Sequence, residues 1–580
     1  MSSFSPSRLF ISTNPSSDIL KLIFIATLFT GFFLFTSNYE SDSDGSLFIR
    51  YAEALTHGVQ YLNADVARYD IAYPFLLWLS GYTHYHSLIG ITLIHAMMAI
   101  LMPMLIYLTV RPAFARGAYY IALAAIFSLV PFYYMKWLRP DHTYMFLTVL
   151  SFCLLSLFID KKRAAYLYAM TFAVIAASLS RSAGNIMFPL FITLAFLFGR
   201  GSVLKYVVCM MMMVGALSLY SHHRQQFFSS FGEKASFNGG QTFQNLYVNS
   251  REFGIRLSPD IGPAMKKLTD NLYQALLPQP ALSSFIRPEN NAAHAEFLQT
   301  YVYPFSVKAF MQQIYDVPCW DYNAMLYGAT NSDALFFAAS IEIIRSYPWY
   351  PVAYTARNMW HLLYRPGYAH TRYNVHPFSK TGIQDAFPFS NDASYLESLP
   401  SRTVRELSFD NFDHKFHGIE KMMRAIRYVF CLSYLKVTKI LFYFIAIAWI
   451  AAGIDLLSRC LSSKKLKALA DLLLPKKVVT AVIVAMSIYL LQSMLIISVF
   501  VDPMVRFHNH IIPFKIMLAG LGVGIFWQLY RGLLKRRGWG WQDEAPSAER
   551  SISQTKNAIL VGCMITCLLA GWGIYIAIHL

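Results

Sequence analysis

Charge is what this sequence has least of. Lys, Arg, Asp and Glu together make up 14% of its residues, against roughly a quarter in an ordinary soluble domain. With so few charges, 580 residues cannot give several soluble domains a solvated surface, which excludes the commonest architecture at this length. Cysteine is scarce too, with seven in all. Cys153, Cys209, Cys563 and Cys567 fall inside apolar runs, Cys431 and Cys460 lie at their edges, and Cys319 stands alone in a polar stretch. No disulfide framework is expected from that distribution. No Cys/His cluster has zinc-ligand spacing, and the doublet His222-His223 would point apart on a helix, so no metal site is expected. A cleavable leader is not expected either, because the first apolar run, from Ile19 to Thr36, is too long for one and lacks a small-residue cleavage site. Nor is an internal repeat evident, which counts against an inverted-repeat transporter.

What the chain does have is grease: 56% hydrophobic and 16% aromatic residues. Apolar runs of about 18 residues or more recur along it, which predicts an all-α polytopic membrane protein. We read eleven spans, near 19–37, 87–110, 117–135, 142–159, 165–180, 184–199, 205–221, 429–457, 478–500, 511–530 and 557–578. The formal charge of +17 could suggest a nucleic-acid partner, but its distribution says otherwise. Arg111, Arg116, Lys161 to Arg163, Arg200, Lys205, Lys464, Lys465, Lys467, Lys476, Lys477, Arg531 and Lys535 to Arg537 all fall on one side of this register. That side is the cytoplasm. The other face receives 38–86, 136–141, 222–428 and 501–510. Three parts are therefore expected: an N-terminal membrane module, 1–221, an external region, 222–428, and C-terminal spans, 429–580. The expected setting is a bacterial inner (plasma) membrane, with the site facing the periplasm and the chain a monomer.

Two carboxylates, Asp42 and Asp44, follow the first span within a few residues. Charge so close to a membrane exit is costly unless it serves something. Residues 45–57 read as an amphipathic helix lying on the membrane, with Leu47, Phe48, Tyr51, Ala54 and Leu55 at helical spacing and His57-Gly58 as the stop. The apolar piece 73–79 is too short to cross, and its Tyr and Trp suit the headgroup level. Further on, an amphipathic run over 333–364 is broken at Tyr347-Pro348 and holds Glu342. It predicts surface helices packed against the membrane domain.

Polar groups recur at the external helix ends: Lys136, Arg139, Asp141 and His142 before the fourth span, Arg181 after the fifth, and Arg506, His508 and His510 before the tenth. Acids and cations on one membrane face suit a reaction between a hydroxyl and a lipid phosphate ester. A sugar held on a polyprenyl phosphate has a weakly basic leaving group, which needs cations and no proton donor. The acceptor hydroxyl is a poor nucleophile and benefits from a positioned carboxylate as general base. Each residue also has a plainer use. Asp44 could cap its helix, Asp141 could cap the next and pair with Arg139, Arg181 could snorkel, and the late histidines could serve as interfacial hydrogen-bonders.

The run Asp44-x5-Arg50-Tyr51-Ala52, with Leu55, Gly58 and Tyr73-Pro74, resembles the first external loop of the GT-C glycosyltransferases. That superfamily includes lipid A aminoarabinose transferases, protein O-mannosyltransferases and arabinofuranosyltransferases. The last of these branches places an acidic pair before an Arg-Tyr-Ala. Here Ser43 stands where its first acid would be, so Asp44 is the match and Asp42 is displaced by one. Arg139-Pro140-Asp141 is similar to the second acidic loop, and Arg506 with Pro513 is similar to a late Arg-aromatic…Pro element. The resemblance implies a GT-C bundle, a polyprenyl-phosphate-linked sugar as donor, and inverting transfer to a glycan, lipid or protein hydroxyl. It implies Asp44 and Asp141 as catalytic acids and bases, with Arg139, Arg181, Arg506 and Lys136 toward the donor phosphate. Asp42, Arg50, Tyr51, His142, His508 and His510 would then face sugar or acceptor. No cofactor is called for, although two acids could hold a divalent cation. The competing readings are a transporter or flippase of a lipid-linked saccharide, and an oligosaccharide ligase or polymerase.

Overall fold

The computed structural model describes residues 15–36, 43–58, 69–115, 117–181, 184–185, 187–199, 203–230, 334–364, 442–458, 464–474, 477–500 and 509–536, with short pieces between 242 and 268 and at 461. Asp42, Arg506 and His508 lie outside the described residues, and so does the side chain of Asp44. The described elements are helices joined by turns. In chain order they are α1 Pro15–Thr36, α2 Ser43–His57, α3 Ala72–Leu79, α4 Ile89–Val110, α5 Ala118–Phe127, α6 Asp141–Lys161, α7 Ala164–Ser180, α8 Met187–Gly199, α9 Val203–Ser230, α10 334–346, α11 Trp349–Tyr364, α12 Phe442–Ser458, α13 Lys464–Leu473, α14 Lys477–Phe500 and α15 Ile512–Arg536.

Among these, α1, α4, α6, α9, α14 and α15 are long and apolar enough to cross a membrane, while α5, α7, α8 and α12 are apolar but shorter. All ten fall where spans are expected. The eleventh expected span, 557–578, lies outside the described residues. One expectation fails in detail. A single helix over 117–135 is replaced by α5, which stops at Phe127, followed by a turn and the short helix Val130–Tyr133. Leu129 takes a left-handed φ of 63°, and Pro131 has no N–H to continue a helical ladder. The Ser128 hydroxyl finishes the turn by donating to the Ala125 carbonyl at 2.6 Å.

The chain divides into two units, residues 1–220, 364–491 and 505–580 in one, and 221–363 with 492–504 in the other. In the first, α6 and α7 form an antiparallel hairpin, turned at Lys162 with φ 57°. Lys162 Nζ donates to the Phe198 carbonyl at 2.7 Å, which satisfies one of the carbonyls orphaned at the end of α8. The middle of the bundle is aromatic. The Phe152 ring lies 4.8 Å from Phe191 and 4.7 Å from Phe514, and Tyr489 lies 4.7 Å from Phe514. Four helices, α6, α8, α14 and α15, thereby share one cluster of nearly inaccessible rings.

The interfacial helix α2 forms as its spacing predicts, but the face it buries is turned by one position. Phe48, Ile49 and Ala52 are buried against Tyr73, Leu77, Tyr82, Leu88, Ile91 and Leu138, whereas Leu55 is exposed. The reason is α3, whose Tyr73 ring meets Phe48 edge-on at 5.2 Å. At its far end, Glu53 holds His57 at 3.3 Å and His86 at 3.4 Å, and Thr56 bonds Thr83 at 3.0 Å. These contacts fix α2 to the turn before α4.

Close backbone approach fixes another contact. A Cβ on Gly522 of α15 would lie 1.9 Å from the Phe444 carbonyl of α12. The blocking atom is backbone, so it cannot swing aside. Gly522→Ala is expected to cost about 1–3 kcal/mol through forced separation of the two helices. Gly453→Ala meets nothing within 4 Å and should be neutral, or stabilising by about 0.5–1 kcal/mol from helix propensity. Melting of the two variants side by side in nanodiscs checks the contrast.

In the second unit the expected break at Tyr347-Pro348 separates α10 from α11. Glu342 has a definite task. Its two carboxylate oxygens accept the N–H groups of Ala264 at 2.9 Å and Met265 at 2.8 Å, satisfying orphan donors at the start of the short helix 263–268. Tyr350 donates to the Leu246 carbonyl, which ties α11 to the same core.

Candidate functional site

Five chain segments meet at one end of the first unit. They are the C-terminal end of α1, the start of α4, the 134–141 loop with the start of α6, the residue after α7, and the turn 509–511 before α15. At the centre is an ion pair between Asp141 and Arg181. Asp141 lies in the first turn of α6, and Arg181 is the residue that closes α7 with an extended backbone, φ −159° and ψ 128°. Because the two helices form a hairpin, these ends are adjacent by construction. Helix dipoles favour an anion at the first position and a cation at the second, so both charges are doubly supported. The Asp141 side chain is 7% exposed and that of Arg181 18%. The pair is largely out of water, with the guanidinium the more accessible partner.

The structure does not give Asp141 the neighbour that proximity in sequence suggests. Arg139, only two residues away, is buried with its guanidinium 5.2 Å over the Trp137 ring. Its backbone amide lies beside the Tyr73 hydroxyl of α3. Nor does Asp141 cap α6 through its side chain. Lys136 reaches across to α1, where its Nζ donates to the Leu34 carbonyl at 2.7 Å. This bond holds the loop bearing Asp141 against the end of the span that leads to Asp44. Arg50 and Tyr51 are half-buried on α2.

Histidines form the inner wall. His142 donates from Nε2 to the His95 carbonyl at 3.0 Å, and its ring lies 5.0 Å from that of His95. His95 in turn donates from Nδ1 to the Met135 carbonyl at 3.0 Å. A carbonyl can only accept, so these bonds fix the tautomers: Nε2–H on His142 and Nδ1–H on His95. The remaining Nδ1 of His142 is buried with no hydrogen-bond partner. His510 packs on the Tyr144 ring at 5.4 Å, and its Nδ1 is likewise buried without a partner. His95 and Tyr144 belong to this wall but escape the sequence reading, as does the part played in it by Tyr73, which the sequence places only at the membrane interface. His95 alone left a usable signal, a titratable group inside an apolar span.

Burial pushes the His510 imidazole down to about 3, with the Arg181 cation acting in the same direction and Asp141 opposing it. A histidine depressed in the folded state binds its proton more readily when unfolded. Stability from this residue is therefore complete above about pH 6.5, where the unfolded side chain is neutral too, and drains away as pH falls toward 3. His510→Gln should flatten that acid slope. Thermal melts from pH 7 to pH 4 on both proteins test it, and an unchanged slope would remove His510 as its source.

This arrangement can hold one anion-seeking guanidinium beside one carboxylate, with neutral imidazoles offering lone pairs behind them. Among the described residues no group of His, Cys, Asp or Glu is placed to hold a metal ion. No family model matches the chain, and neither does any curated protein. Among solved structures the chain is similar to ArnT from Cupriavidus metallidurans, determined with bound undecaprenyl phosphate. The identity is 10%, over 91% of this chain and 81% of that one, at a TM-score of 0.31. A likeness at that level decides neither fold nor chemistry, which rest on the residues described above.

Proposed function

We propose that this chain is a GT-C-type integral membrane glycosyltransferase. It moves a sugar from a polyprenyl-phosphate donor to an acceptor hydroxyl on the external face, with inversion. The observation that carries this reading is the Asp141–Arg181 pair, held at one end of the bundle beside the loop that Lys136 fastens to α1. Together with the Asp44-to-Ala52 run it supplies what the reaction requires and little else. The acceptor oxygen attacks the anomeric carbon from the face opposite the phosphate. As the new C–O bond forms, the old one breaks, and its electron pair leaves on the polyprenyl phosphate. Asp44 takes the acceptor proton. Arg181, with Arg139, Arg506 and Lys136 contributing positive field, offsets the charge gathering on the departing phosphate, and Asp141 orients sugar or acceptor. Asp42, Arg50, Tyr51, His142, His508 and His510 line the approach of the sugar and its acceptor. The region 222–428 selects the acceptor, and the site faces the periplasm of a bacterial inner membrane.

The test is direct. The purified chain in nanodiscs is given polyprenyl-phosphate sugars together with extracts of envelope glycan, lipid and protein, and free polyprenyl phosphate is measured by mass spectrometry. Release that depends on an acceptor is the expected result. Movement of intact donor across the bilayer with no cleavage would overturn it in favour of transport.

A further inference from the structure

The unit formed by 221–363 and 492–504 carries an apolar stripe that stays about half exposed or more, although the Trp349 ring edges toward Phe253 at 6.3 Å. α11 turns Tyr350, Tyr354, Asn358 and Leu362 inward, four residues apart and all buried. On the nearly opposite side of the same helix, Trp349, Val352, Ala356 and Trp360 recur at a spacing of three, four and four. They are exposed, Trp349 by 54%, Val352 by 70% and Trp360 by 51%. At 1.5 Å per residue the stripe is about 17 Å long. A contiguous apolar surface of this kind on an otherwise folded unit marks a binding face.

Three features identify the occupant as lipid. The unit begins at Ser221, within α9, whose stretch Val203–Gln226 is long and apolar enough to span a membrane. One helix of the unit is thus continuous with an apolar helix of span length. Trp stands at each end of the stripe, and the indole, apolar in body and polar at one edge, settles at the headgroup level. Cations flank it: exposed Arg345 lies one turn before Trp349, and half-exposed Arg357 stands on the adjoining face of α11, its Nε donating to His361 Nε2 at 3.3 Å. Cations beside an apolar stripe suit anionic headgroups.

We propose that α11 lies along the surface of the membrane that the chain spans, with Trp349, Val352 and Trp360 seated between headgroups and acyl chains. The proposal does not depend on the reaction catalysed. Its test uses the full chain reconstituted in vesicles of phosphatidylethanolamine and phosphatidylglycerol, and compares wild type with W349F/W360F. The difference between their emission spectra reports the two indoles alone. That component should be blue-shifted and quenched about twofold more by lipids brominated near the headgroup end of the chain than by aqueous iodide. Stronger quenching by iodide would place the stripe in water and overturn the proposal. Protection from both quenchers would mean that protein covers it, a second copy or another segment of the chain, and would overturn it equally. The single variants W349F and W360F give the same reading should the double variant fold poorly.

Discussion

Arg181→Gln is expected to do two separable kinds of damage. The first is to stability. It leaves the Asp141 carboxylate buried without its cation, and breaking a buried pair from one side costs about 3–5 kcal/mol. Asp141→Asn should cost less, because the guanidinium left behind is the more exposed partner and can reach water. The double variant D141N/R181Q places two neutral amides face to face, and most of the lost stability should return, since neither carries an uncompensated charge. The second kind of damage is to transfer. If the pair is only a structural clamp, activity recovers with stability in the double variant. If the guanidinium offsets charge on the departing phosphate, the double variant is stable yet slower by about 10²-fold or more. Melting and turnover measured on the same nanodisc preparations separate these outcomes, and a fast double variant would take Arg181 out of the donor site.

Asp44→Asn is expected to remove transfer while leaving the fold intact. Asp44 stands in the first turn of α2, one residue after its start, and Asn is accepted at a helix N-terminus as readily as Asp. The helix itself is held by Phe48, Ile49 and Ala52 below and by the Glu53 contacts at the other end, none of which the change touches. If Asp44 is the proposed base, what disappears is the group that takes the acceptor proton, a contribution of about 10²–10⁴-fold in rate. A melting point within a degree of wild type and loss of acceptor-dependent release is the anticipated pair of results. Wild-type turnover in this variant would end the assignment of Asp44 as the base.

The parts of this architecture that follow from periodicity could be read directly from the sequence. Long apolar helices stand where hydropathy puts them, α2 ends at its His57-Gly58 stop although it begins at Ser43, which takes Asp44 inside the helix and out of the cap position, and Pro348 marks the break between α10 and α11. Readings that depended on what a side chain meets across space fared differently. Spacing alone offers Arg139 as a structural partner for Asp141, but a turn sends the Arg139 guanidinium over Trp137. The true partner is forty residues on, placed by the hairpin of α6 and α7. The buried face of α2 turned by one position for the same kind of reason, since α3 decides it and no spacing within α2 encodes α3. Lys136 keeps its charge but anchors its ammonium on the last turn of α1, a partner that no local spacing announces. His95 is the one histidine of an apolar helix, and its ring packs against that of His142 in the site.

The early stop of α5 has a consequence for the membrane itself. Ten residues of helix reach about 15 Å, half of a hydrocarbon layer about 30 Å thick. Bare peptide groups are tolerated at such depth only behind a screen of side chains. Leu129, Val130, Phe132, Tyr134, Met135, Trp137 and Leu138 are all buried and provide that screen for the connection from Ser128 to Pro140. A charge placed among those seven side chains would open this stretch of backbone to hydrocarbon, so this flank of the bundle tolerates substitution less well than its apolar composition suggests.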